Sequence, residues 1–197
     1  LVDNPSGGSR FLFIGDHAGN AVPAQLQKLG VEDCDLARHI GWDIGIRQLG
    51  RCLAKRLDAT FIHQQYSRLV IDCNRAAGVP DSIPEFSDGT AIPANYQLDA
   101  KGAAARVESI HGPYQKAIAD TLRRRRRAGH ETILIALHSF TPAMAGLSRP
   151  WHAGILHNGG NDSFALDLLA RLRKDPNLCV GDNQPYQMDG IDHTVPL

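Results

Sequence analysis

Residues 132–137, Thr-Ile-Leu-Ile-Ala-Leu, form an uninterrupted apolar run that stops at His138. A half-exposed strand alternates apolar and polar residues. A strand that is apolar throughout must be covered on both faces. Residues 11–15, Phe-Leu-Phe-Ile-Gly, repeat the pattern and stop at Asp16-His17. Residues 59–63 and 68–73 are short and β-branched or aromatic, and read as two further strands, with another over 153–157. Helical patterns alternate with these runs. Over 35–57, Leu36, Ile40, Ile44, Leu49, Leu53 and Leu57 recur at near-helical spacing, although two glycines weaken the early part. Residues 100–128 carry the clearest helix, with Ala104, Val107, Ile110, Tyr114, Ile118 and Leu122 on one face and Gly129 as its stop. A further helix is expected over 162–173. Residues 76–97 are rich in Pro, Gly, Ser and Asp and read as a long loop, and the tail from Leu178 is turn-rich, with Asp189-Gly190 among its turns. This alternation predicts an α/β fold: a single domain over 1–197 with a mostly parallel, mixed central sheet and helices on both faces.

Composition removes several classes of function. Net charge is zero, so the overall basicity of a nucleic-acid-binding domain is missing. The run Arg123 to Arg127 does not restore it, because five consecutive arginines on a helix point in all directions, and cations in a last turn favour the macrodipole. No apolar run approaches the ~20 residues that span a bilayer, and the N-terminus has no secretory pattern. Cys34, Cys52, Cys73 and Cys179 form no CxxC pair and are expected to be reduced, which makes the cytoplasm the default location. Neither Leu1 nor Leu197 reads as a natural terminus, and a short C-terminal tail is expected beyond Leu197.

Ligands of open α/β sheets bind at the carboxyl ends of strands. Three such ends carry polar residues: Asp16-His17, Asp72 with Asn74-Arg75, and His138-Ser139 after the strand expected to be central. His17 and His138 can supply two of the three protein ligands of a catalytic zinc. Asp43, Asp16 and Asn20 are candidates for the third. His39 and Asp43 lie four apart in the helical pattern, so Asp43 is expected to point from a helix into the site as ligand or as orienter of a histidine. Arg68 and Arg75 offer planar forks for a carboxylate. Ser139 beside His138 lacks the G-x-S-x-G elbow of a serine hydrolase.

Several segments together carry a resemblance. They are Asp16-His17-Ala18-Gly19-Asn20-Ala21-Val22-Pro23, His39-Ile40-Gly41-Trp42-Asp43, Tyr66-Ser67-Arg68, Asp72-Cys73-Asn74-Arg75, His138-Ser139-Phe140-Thr141-Pro142, Arg149-Pro150-Trp151 and Gly181-Asp182-Asn183-Gln184-Pro185-Tyr186. In this order they resemble the N-formylglutamate amidohydrolase family, which is similar in fold to the zinc carboxypeptidases. The resemblance implies one Zn2+ ion held by His17, His138 and Asp43, and a small N-acyl amino acid as substrate. It implies Asn74 and Arg75 as the grip on the substrate's carboxylate, with Asn20 and Tyr186 also on the substrate, and Arg68 as the group that polarises the scissile carbonyl. The sequence departs from the carboxypeptidase pattern His-x-x-Glu at Asn20, and the general-base glutamate of such enzymes is expected beyond Leu197. A non-catalytic metal- or anion-binding domain of the same fold, or a deacylase for another N-acyl amino acid or small peptide, would share most of these residues.

Overall fold

Phe11–Gly15 forms the strand around which the first part of the molecule is built. The structure, a computed structural model, describes residues 1–144, 146–188 and 192–195. The chain packs as two compact units, Leu1–Ser139 with Asp192–Leu197, and Phe140–Ile191. In the first, chain order is β1 (Val2–Asp3), β2 (Phe11–Gly15), α1 (Asp33–Leu36), α2 (Ile46–Leu57), β3 (Thr60–His63), a hairpin of β4 (Phe86–Ser87) and β5 (Thr90–Ala91), α3 (Ala100–Arg106), α4 (Gly112–Arg127) and β6 (Ile133–Ala136). The second holds β7 (Ala143–Met144), β8 (Leu147–Ser148), β9 (Ala153–Ile155), α5 (Ser163–Leu172) and β10 (Val180–Asp182).

The main sheet has the order β1-β3-β2-β6. β2 runs parallel to β3 and to β6, and β1 is antiparallel to β3. The sheet is therefore mixed, as expected. Alternation sorts its side chains onto two faces. Leu12, Ile14 and Ile62 join Ile110, Tyr114 and Ile118 of the long helical segment in one core cluster, while Phe13 and Phe61 join Ile46 and Ala54 of α2 in another. Helices thus cover both faces, which is why the strands are apolar throughout. Gly50 lets α2 lie close to β3: a Cβ there would stand 2.2 Å from the Phe61 ring. In the second unit β9 and β10 pair in parallel, and Leu169 of α5 and Val180 of β10 are buried. No helix among the described residues is long and apolar enough to cross a membrane. All four cysteines are free.

Four expectations are corrected. The helix expected over 35–57 begins only at Ile46. α1 stops at Leu36, turns follow, and Gly45, at φ 87°, precedes the new helix in a left-handed conformation. The resulting register buries Ile46, Gly50 and Ala54, while Ile44, Leu49 and Leu57 face solvent. The strand expected over 68–73 is a buried loop. Leu69, Val70, Ile71 and Cys73 are all inside the core. Their carbonyls find side-chain donors in place of a neighbouring strand: Asn95 Nδ2 donates to Leu69 O at 2.9 Å and Arg106 Nη1 to Val70 O at 2.9 Å. The strand ending before His138 is not central but lies at one end of the four-strand order. The helix over 100–128 is interrupted by a π turn at Val107–His111. The long loop over 76–97 holds only the β4–β5 hairpin and two single 3-10 turns, and the turn expected at Asp189-Gly190 lies outside the described residues.

Candidate metal centre

β2 ends at Gly15, so Asp16 and His17 leave its carboxyl end. The register pairs Ile14 with Ala136, so β6 delivers His138 alongside. The two imidazoles stand with ring centroids 5.1 Å apart. Asp43 comes from the turn before α2 and not from a helix face. Its backbone N–H donates to His17 O at 2.8 Å, which ties that turn to the end of β2. His39 shares no helix face with it and lies instead 3.4 Å from Asp88.

His17, Asp43 and His138 can each offer one ligand atom, and these atoms lie within 4.8 Å of one another. Both rings present Nδ1 to the same carboxylate oxygen: Asp43 Oδ2 is 2.9 Å from His138 Nδ1 and 3.6 Å from His17 Nδ1. Behind each ring stands another carboxylate. His17 Nε2 is 2.7 Å from Asp72 Oδ1, and His138 Nε2 is 3.3 Å from Asp16 Oδ2. A histidine that hands its Nε2 proton to a carboxylate keeps a lone pair on Nδ1, which is how metal-binding histidines are oriented. His17 Nδ1 is buried and has no hydrogen-bond partner among the described residues. An orphaned buried nitrogen beside a carboxylate and a second imidazole fits a divalent ion, and the donor set of two imidazoles and one carboxylate suits zinc.

The electrostatics follow from this crowding of charge. Burial would lower the His138 pKa, but the Asp16 and Asp43 carboxylates outweigh it and raise it to about 10. Burial and the Arg68 charge depress His17, and Asp72 and Asp43 more than offset them. Burial would raise Asp43, yet the His17 and His138 rings hold it well below the usual carboxylate range. Asp72 is likewise held low, against burial, by His17 and Arg68. Acids and bases are thus interleaved, and each carboxylate is held low by the cations and imidazoles beside it.

The remaining expected site residues fall into different places. Arg68 Nη2 reaches Asp72 Oδ2 at 2.7 Å and its Nη1 lies 3.8 Å from Asp43 Oδ1, so it borders the triad. Asp16 stands behind His138 and does not complete the triad itself. Asn20 turns its amide to Leu36 O at 3.2 Å. Asn74 Nδ2 donates to Asp192 Oδ1 at 3.0 Å, and Arg75 Nη1 lies 3.5 Å from the same oxygen. Asn74 Oδ1 also accepts from the backbone N–H groups of His193 and Thr194. Tyr186 belongs to the second unit, where the Arg149 guanidinium lies 4.8 Å from its ring centre. Sequence reasoning did not find the contacts of Asp192 and Thr194. These residues follow no strand and lie 118 and 178 positions from Asn74 and Asp16, so no local pattern marks them.

A family model described as N-formylglutamate amidohydrolase matches residues 9–196. Among solved structures, a gene product of Agrobacterium tumefaciens is 32% identical, with a TM-score of 0.89 over 95% of this chain and 73% of its own. The N-formylglutamate amidohydrolase of Ralstonia eutropha JMP134 is 18% identical, with a TM-score of 0.71 over 94% of this chain and 76% of its own, a likeness of fold. No curated protein matches the chain. With a match across nearly its whole length and a relative of this identity, the chain belongs to the N-formylglutamate amidohydrolase family.

Proposed function

We propose that the protein is a metal-dependent amide hydrolase that releases a small acyl group from an N-acyl amino acid, with N-formyl-L-glutamate as the first candidate. One observation carries the metal: the buried His17 Nδ1, without a hydrogen-bond partner, beside Asp43 and His138. One Zn2+ ion is held by His17, Asp43 and His138. Bound there, it supplies Lewis acidity and a water of lowered pKa. Asp72 and Asp16 fix the two rings from behind. Arg68, whose side chain is 30% exposed, directs guanidinium N–H groups at the scissile carbonyl oxygen and stabilises the charge that develops on it. Arg75 and Asn74 hold a substrate carboxylate; that they already hold the carboxylate of Asp192 supports this use. Water adds across the C–N bond, and the products are formate and the free amino acid.

A second reading, a metal-binding domain without turnover, is favoured by one fact. Among the described residues no hydrogen bond or ion pair joins Glu32, Glu85, Glu108 or Glu131 to the triad, and Glu131 pairs with Arg10 instead. Both readings are separated by following formate release from N-formyl-L-glutamate by proton NMR with the full-length protein. Release that stops on chelation, returns with zinc and is lost in His17→Ala supports the hydrolase. Zinc uptake without formate release supports the binding domain. Release that survives chelation overturns the metal-dependent mechanism.

A further inference from the structure

Asp16 is a carboxylate only 1% exposed, and its Oδ2 forms an ion pair with His138 Nε2 at 3.3 Å without a hydrogen-bond partner among the described residues. A buried carboxylate must be held by donors to keep one orientation. The donor to its other oxygen comes from far along the chain. Thr194, 4% exposed, donates its hydroxyl to Asp16 Oδ1 at 2.7 Å. That hydroxyl is itself fixed. Gln115 Nε2 donates to it at 3.2 Å, and the same amide donates to Cys73 O at 2.7 Å. The single hydroxyl proton has two acceptors in reach, Asp16 Oδ1 at 2.7 Å and Cys73 O at 3.1 Å, and the nearer, ionised carboxylate is the stronger acceptor. The backbone of Thr194 is pinned as well, because its N–H and that of His193 both donate to Asn74 Oδ1 at 3.1 Å.

We propose that Thr194 is a positioning residue for the metal centre: its hydroxyl fixes the Asp16 carboxylate, and Asp16 in turn orients the His138 ring. The line Gln115, Thr194, Asp16, His138 then links α4 and the segment after residue 191 to the triad. The inference rests on the metal-centre reading but does not share its only test. Among the described residues Thr194 makes no hydrogen bond to His17, Asp43 or His138, so it acts through Asp16.

The test uses the full-length protein with Thr194→Val, which keeps the shape and removes the hydroxyl, and Thr194→Ser, which keeps the hydroxyl. The first readout is zinc affinity by competition with a chromophoric chelator. Loss of a ligand's direct outer partner costs ~10–100-fold in metal affinity, so T194V, one contact further out, is expected to bind zinc more weakly by up to ~10-fold and T194S to match the parent. The second readout is the His138 side-chain nitrogen resonances in metal-free protein, which T194V should shift and T194S should leave in place. Zinc affinity unchanged in T194V, with the His138 resonances unmoved, overturns the assignment. Were the parent to take up no zinc, the metal reading would fail alone, and the resonance shift would decide Thr194 by itself. Were T194V not to fold, T194A serves in the same two measurements.

Discussion

Arg106 carries the most exposed consequence of the loop at 68–73. This arginine, 5% exposed, has no carboxylate among its hydrogen-bond partners in the described residues. Its Nη1 donates to Val70 O at 2.9 Å and to Asn95 Oδ1 at 2.7 Å, and its Nη2 to Ala94 O at 3.3 Å. Burial lowers its pKa. Replacing it by methionine keeps much of the volume and leaves three acceptors without a donor. Each buried acceptor left unsatisfied costs ~1–3 kcal/mol. Part of that sum is returned because a cation no longer has to be buried. A net loss of about 2–4 kcal/mol follows from these magnitudes, a large share of the ~5–15 kcal/mol that holds a domain folded. At ~2–4 °C per kcal/mol for a chain of this size, Tm should fall by about 4–16 °C. Circular dichroism against temperature reads this directly. Because Asn95 also donates to Leu69 O and Pro84 O, Asn95→Ala and Arg106→Met should be non-additive in a double-mutant cycle. A Tm for R106M within 2 °C of the parent would refute the claim that this arginine substitutes for a neighbouring strand.

Two further outcomes can be checked on the same instruments. Gly50→Ala places a methyl 2.2 Å from the Phe61 ring, and should destabilise by ~1–3 kcal/mol through overpacking; an unchanged denaturant midpoint contradicts the close approach of α2. His63 is buried, with its pKa lowered to about 4, chiefly by burial and despite Asp3. Its folded value lies below the unfolded value of ~6.5, so stability is full above ~6.5 and is lost as pH falls through about 4. His63→Gln should flatten the stability profile across that window, and an identical profile would count against the assignment.

The strands over 11–15, 59–63 and 132–137 were legible because continuous apolar runs ended at polar residues, and two-sided burial produces that pattern. The same signal misled over 68–73. An apolar run reports burial, and here buried side chains of Asn95 and Arg106, distant in sequence, satisfy the backbone that a strand partner would otherwise satisfy. The helix over 35–57 failed for a different reason: α1 stops at Leu36 and a new helix starts after the left-handed Gly45, and a periodicity count cannot see a dihedral angle. At the site, the placing of His17 beside His138 follows from two parallel strands in register, so strand-end reasoning reached it. Asp43 was reached through a helix face that does not exist; a hydrogen bond from its backbone to His17 O puts it there. Asp72 behind His17 and Thr194 behind Asp16 depend on contacts 55 and 178 residues apart, for which a single sequence holds no cue.

The central claim is that His17, Asp43 and His138 form one metal site. It is tested most directly by titrating metal-free protein with zinc by calorimetry, beside Asp43→Asn and His17→Ala, each first shown to be folded. The account predicts one ion per chain in the parent and a loss of at least ~10-fold in affinity in each variant, since each removes a coordinating atom. Parent-like zinc binding in both variants would contradict it.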